Sequence, residues 1–126
     1  MKAPTATWLR AEGLALGLLC AWLYYDLRQP WWIFAVLFLA PDLSMLGYLR
    51  SPRIGAIAYN AVHSWALVVV LYFLSRWFWR ESPFLLSLPF ILGAHIGFDR
   101  ALGYGLKLPT NFYDTDLGRI GKTARG

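Results

Sequence analysis

The sequence predicts an all-α fold, a single integral membrane domain over residues 1–126 built as a bundle of four transmembrane helices with a polar C-terminal tail. Three observations predict it. Of the 126 residues, 58% are hydrophobic and only 15% are charged, whereas a water-soluble domain carries about 25% charged residues. Four apolar stretches recur, each near the roughly 20 residues that cross a bilayer as a helix. No alternating period-2 pattern appears, which sets aside a closed barrel, the other way to satisfy a backbone in lipid.

The first span is expected at about 8–25. It opens from MKAPTATWLRAEG into an apolar run from Leu14 to Leu23. A cleaved signal peptide is the rival reading; Glu12, the aromatic WLYY stretch and the absence of a small-x-small cleavage site argue for a retained span. The second is expected at about 31–48, interrupted by Pro41-Asp42, with Pro30 suited to the first turn of the helix it introduces. The third covers about 54–75 and the fourth about 84–102, joined by short connections. Trp31, Trp32, Trp77 and Trp79 fall at the predicted boundaries, where an aromatic belt would place them. Residues 103–126 turn polar and glycine-rich and are expected outside the bilayer.

The net charge of +5 forms no basic face or block, so it points to topology rather than to nucleic acid. Lys2, Arg10, Arg50, Arg53, Arg100, Lys107, Arg119, Lys122 and Arg125 fall on one side of the predicted spans, and Arg28, Arg76 and Arg80 on the other. Both termini are therefore expected in the cytoplasm. The single cysteine, Cys20, lies in an apolar run, excludes an intramolecular disulfide and reads as a small buried hydrophobe.

Six polar side chains sit inside these apolar spans: Glu12, Asp42, Asn60, His63, His95 and Asp99. A charged group in hydrocarbon costs several kcal/mol unless paired, so such residues mark candidate sites. At about 1.5 Å per residue along each span, all six are expected in the cytoplasmic half or near the midplane. His95 and Asp99, at i and i+4, share a helix face, as do Asn60 and His63 at i and i+3. With Asp42 they offer a mixed imidazole and carboxylate set suited to Zn²⁺, Mn²⁺ or Fe²⁺, and helical bundles build metal sites from such inward pairs. Gly93 and Gly97 would let another helix approach closely beside them. Ser64 follows His63 directly, and adjacent helical residues do not face each other, so a Ser–His nucleophile pair is not expected. The glycines of GYGLK and LGRIG lack the strand–loop–helix context of a phosphate loop. Asp114 and Asp116 read as solvated tail residues, with a tail folded back over the site as the alternative.

The blocks APDLSMLGY (40–48), PRIGAIAYNAVHS (52–64), GAHIGFDRALGYGLK (93–107) and FYDTDLGRIGK (112–122) resemble the DUF4260 family of small bacterial membrane proteins. That resemblance spans nearly the whole chain; it implies a helical fold in a bacterial cytoplasmic membrane and carries no mechanism. In the tail, relatives read T-H-L-G where this chain reads Thr115-Asp116-Leu117-Gly118, so a tail ligand here would be Asp116. A more distant likeness is to membrane-bound metal-dependent hydrolases of the YdjM type, with P-D, then T-H-S, then S-H-x-x-x-D. The matching positions are Pro41-Asp42, Val62-His63-Ser64 and Ala94-His95-Ile96-Gly97-Phe98-Asp99. This likeness implies Asp42, His63, His95 and Asp99 as metal ligands.

The leading functional expectation is a metal-dependent hydrolase whose site opens to the cytoplasmic leaflet and acts on a lipid-like ester or phosphoester. Asp42, His63, His95 and Asp99 would hold the ion, with Asn60 beside them. Glu12 would serve as general base or orient a ligand histidine, and Arg100 and Arg53 would hold a phosphate or headgroup. A second expectation keeps the site and drops the metal, giving a proton-transfer isomerase or cyclase for a hydrophobic substrate. A third is no enzyme but a carrier or complex subunit, which with four helices would need a homo-oligomer.

Overall fold

A computed structural model describes residues 5–106 and Thr115. Among them the regular structure is helical: α1 (Thr5–Asp26), α2 (Trp31–Phe38), a 3₁₀ segment (Ala40–Leu49), α3 (Pro52–Val62), α4 (Trp65–Phe78) and α5 (Pro83–Leu102). Most of the tail, with Asp114, Asp116, Lys107 and the basic residues beyond it, and Lys2 at the other end, lies outside the described residues.

Two stretches are long and apolar enough to cross a membrane: Trp31–Leu49, which joins α2 to the 3₁₀ segment, and Pro83–Leu102, which is α5. The pair α3 and α4 makes a third if its 45° bend is one broken span. The expected first span corresponds to α1, which has the length at 22 residues but is less apolar, because Arg10, Glu12 and Asp26 lie within it. Two to three spans are thus apparent by length and composition.

The chain punctuates these helices with local chemistry. Pro30 caps α2 in extended backbone, and its carbonyl accepts the Tyr24 hydroxyl at 2.6 Å, closing the turn from α1. Ser51, Ser64 and Ser82 are the N-caps of α3, α4 and α5, each hydroxyl accepting from a backbone N–H of the first turn. Pro52 and Pro83 occupy the first helical positions, where a missing N–H costs nothing. Gly103, with φ 95°, ends α5 in the left-handed region, and the Tyr104 N–H returns to the Asp99 carbonyl at 2.8 Å, a capping turn that favours glycine.

The fold is organised around α5, against which α1, α2 and α4 pack, while the 3₁₀ segment packs on α3. Every residue from Ile91 to Gly97 is buried. α1 crosses α5 glycine to glycine: a Cβ on Gly17 would lie 3.2 Å from the Gly97 Cα, and one on Gly13 would lie 3.1 Å from the Gly97 carbonyl oxygen. Gly13-x-x-x-Gly17 and Gly93-x-x-x-Gly97 are the small-residue spacing that lets helix backbones touch. Cys20 packs into the space beside Gly93 and is buried and free, as a small hydrophobe would be.

Candidate metal centre

Two helix breaks shape the site. At Pro41 the second apolar segment leaves α-helical geometry: proline brings no N–H to the Leu37 carbonyl four residues back, and the Asp42 N–H turns to the Leu39 carbonyl at 3.2 Å. The chain continues as ten residues of 3₁₀ helix, longer than the few residues that geometry usually sustains and a form associated with functional segments. The interruption expected at Pro41-Asp42 is therefore present. At His63 the third segment breaks, where the sequence had suggested one continuous helix. His63 ends α3 with φ −108° and ψ 18°, and Ser64 restarts the chain as the N-cap of α4, accepting from the Ala66 N–H at 3.1 Å. The Leu67 N–H bonds Ser64, which leaves the His63 carbonyl without the i+4 partner of a continuous helix.

That freed carbonyl receives Arg100. The guanidinium, buried in α5, donates from NH2 to the His63 carbonyl at 3.0 Å and from NH1 to the Tyr104 carbonyl at 3.1 Å. Its planar fork thus ties the α3–α4 break to the end of α5. A lysine ammonium lacks the rigid planar fork that sets both bonds in place at once. Arg100→Lys is expected to lower the thermal midpoint of the purified protein by several degrees, corresponding to about 1.5–3 kcal/mol for a charge-assisted hydrogen bond; a variant as stable as wild type would contradict the tie.

Around these breaks four donor atoms converge. His63 Nε2 lies 3.1 Å from His95 Nε2, 3.4 Å from Asp42 Oδ1 and 3.5 Å from Asp99 Oδ2. His95 Nε2 lies 3.2 Å from Asp42 Oδ1 and 3.1 Å from Asp99 Oδ2. One atom from each of the four residues fits within 4.8 Å of every other. The two imidazoles are buried; the Asp99 side chain is 18% exposed and that of Asp42 41%, so the cluster reaches the protein surface at Asp42.

The surroundings orient both rings. His63 Nδ1 is 2.9 Å from the Tyr59 carbonyl; a carbonyl only accepts, so Nδ1 carries the proton and the neutral ring turns its bare Nε2 lone pair to the cluster. The Tyr59 ring stacks on the imidazole at 3.7 Å and 7°. His95 is held edge-on to Phe38 at 5.0 Å, and its buried Nδ1 has no hydrogen-bond partner among the described residues. Metal-ligating histidines are oriented by outer hydrogen bonds such as the one His63 makes to Tyr59.

Of the residues singled out in the sequence, the fold brings Asp42, His63, His95 and Asp99 together. Glu12 is exposed and lines a separate cavity of about 300 Å³ with Leu9, Leu16, Trp65, Arg100 and Leu106. Asn60, a turn before His63, lines an open groove with Ile57, Ser64, Leu67 and Val70. Arg53 is exposed on the first turn of α3. Ser64 is a cap: Ser64→Ala is expected to cost about 1 kcal/mol of stability while metal content stays that of wild type, measured by calorimetry and elemental analysis. The sequence reading missed the role of Tyr59, which i, i+4 spacing to His63 could have suggested, and the Gly13-x-x-x-Gly17 motif, which was in plain view.

Such a donor set suits a divalent cation. Two carboxylates and two imidazoles offer four ligand atoms, and among the described residues the nitrogens that approach the Asp42 and Asp99 carboxylates within 4.0 Å are those of His63 and His95. No curated protein and no solved structure matches the chain. The family model described as "Domain of unknown function (DUF4260)" matches residues 6–120, and the chain belongs to that family.

Proposed function

We propose that the chain is a membrane-embedded hydrolase that holds one Zn²⁺ through Asp42, His63, His95 and Asp99 and cleaves a lipid-like ester or phosphoester. The observation that carries the reading is the set of five donor–donor distances between 3.1 and 3.5 Å. A tetrahedral ion with bonds of about 2.0–2.1 Å separates its ligand atoms by about 3.3–3.4 Å, whereas cis ligands of an octahedral ion at that bond length would sit about 2.9 Å apart. The order P-D…H-S…H-x-x-x-D supports it further. Such an ion supplies Lewis-acid polarisation of a carbonyl or phosphoryl oxygen and favours ionisation of water near neutral pH. His63 and His95 hold the centre in place, their rings locked by Tyr59 and Phe38. Asp42, the exposed donor, faces incoming water and takes its proton on the second carboxylate oxygen, then returns it to the leaving alkoxide. Four spans, with α1 as the first, place this centre in the cytoplasmic half of the bilayer with both termini inside, as the Lys and Arg distribution supports.

Gently purified protein is expected to contain one zinc per chain, and to lose hydrolysis of short-chain ester and phosphodiester probes on chelation and regain it on zinc return. Absence of stoichiometric metal would sink the reading. A tetrahedron closed by four protein donors is also the form of a structural site. It favours, as second reading, a non-enzymatic protein whose ion pins the 3₁₀ segment, the α3–α4 break and α5 together; full zinc without hydrolysis of any probe would select it.

A further inference from the structure

An apolar groove of about 280 Å³ adjoins the four-donor cluster, lined by Leu37, Pro41, Val62, Leu71, Leu88 and Ile91 among others. Two of these are chain neighbours of donors: Pro41 precedes Asp42, and Val62 precedes His63. α5 supplies the long wall. Ile91 lies one turn and Leu88 two turns before His95, which is roughly 10 Å of helix at 1.5 Å per residue. All of its lining side chains are apolar, so nothing along its length can recognise a polar molecule. None of the four donors lines the groove itself; the polar groups nearest to it in the chain are Asp42, next to Pro41, and His63, next to Val62. An occupant that satisfies both parts has one unbranched apolar chain and an oxygen-rich head. The volume is at the low end for ligand sites, which run from about 300 to 1,000 Å³, and fits one chain rather than two. The larger apolar surface on α4 (Val69, Val70, Phe73, Leu74, Trp77 and Phe78) includes no chain neighbour of a donor and reads as plain lipid contact.

We infer that this groove binds the single acyl chain of the substrate and presents its head oxygen to the Asp42–His63–His95–Asp99 cluster. The chain-binding part stands on the groove itself; only the placement of the head rests on the metal reading. A bulky indole at the groove wall is expected to displace the chain and leave the cluster untouched.

The test compares two metal-chelating probes, lauroyl hydroxamate and acetohydroxamate, on zinc-loaded protein in one detergent, for wild type, Leu88→Trp and Leu71→Trp. These two variants enter the groove from opposite walls, α5 and α4. Burial of each methylene contributes enough that losing several should weaken lauroyl hydroxamate roughly tenfold or more, with acetohydroxamate unchanged. Lauroyl hydroxamate bound as tightly by a folded variant as by wild type overturns the groove assignment. A second arm measures laurate binding to metal-stripped protein. Sensitivity to Leu88→Trp that persists there supports the groove even where zinc fails to bind, whereas zinc bound without that sensitivity overturns the groove and spares the metal centre.

Discussion

His95→Ala is expected to abolish stoichiometric zinc binding. His95 Nε2 is within 3.2 Å of three other donor atoms, one from each of His63, Asp42 and Asp99, so its removal takes out the donor nearest to all of the rest. The loss should exceed the roughly 10–100-fold in affinity that removal of an outer-shell partner typically costs. The same variant reports on folding. A ligand that binds only the folded chain stabilises it by about 4 kcal/mol at a thousandfold excess over its dissociation constant, so added zinc should raise the melting midpoint of wild type and leave that of His95→Ala in place. A zinc-induced shift retained by the variant would show that the ion sits elsewhere. Ser64→Ala, one residue from the ligand His63 and outside the cluster, is the matched control.

Gly97→Ala is expected to be the most destabilising single-methyl change in the chain. A Cβ there would fall on the Gly13 carbonyl oxygen and the Gly17 backbone, closer than real side chains come. Backbone cannot turn aside as a flexible side chain can, so α1 must move off α5. Overpacking costs about 1–3 kcal/mol in ordinary cores, and this position should lie at or beyond the top of that range, seen as a lost or sharply lowered unfolding transition in detergent. Gly93→Ala makes the contrast. Its Cβ would meet the Cys20 Sγ, a side-chain atom, so pairing it with Cys20→Ala should recover much of the loss. Equal stability of Gly97→Ala and wild type would show that the two helices do not cross at these glycines. The consequence reaches the site, because Gly97 stands between His95 and Asp99 on α5, and Arg100 Cβ is the atom that a side chain on Gly13 would strike.

The four donors were legible in the sequence because membrane-like segments make polarity conspicuous. His95 and Asp99 carry their geometry with them, since i, i+4 spacing puts both on one face. Asn60, which i, i+3 spacing joined to His63, lines the open groove with Ile57 and Ser64. His63 is not a helical residue inside a span but the last residue before a break, and its direction follows from its own backbone angles. Glu12 was grouped with the cluster on depth alone. Depth along a helix says nothing of azimuth, and α1 turns Glu12 out to the surface, towards a cavity shared with Arg100. Arg100 read as a charge awaiting a phosphate; its guanidinium bonds the His63 carbonyl, which the helix break frees, and the Tyr104 carbonyl beyond the end of α5.

What the sequence alone determined is the part governed by local and one-dimensional physics. Apolar segments of near-span length, serine and proline caps, the interruption at Pro41 and the His95–Asp99 face all follow from composition and helical periodicity. What tertiary structure decided is the part that depends on how the segments meet: the 45° bend at His63, the glycine-lined approach of α1 to α5, the carbonyls left for Arg100 and the distances among four donors from three segments. A donor spacing of 3.1–3.5 Å between residues as far apart in the chain as Asp42 and His95 is set by close packing of backbones, and no local pattern encodes it.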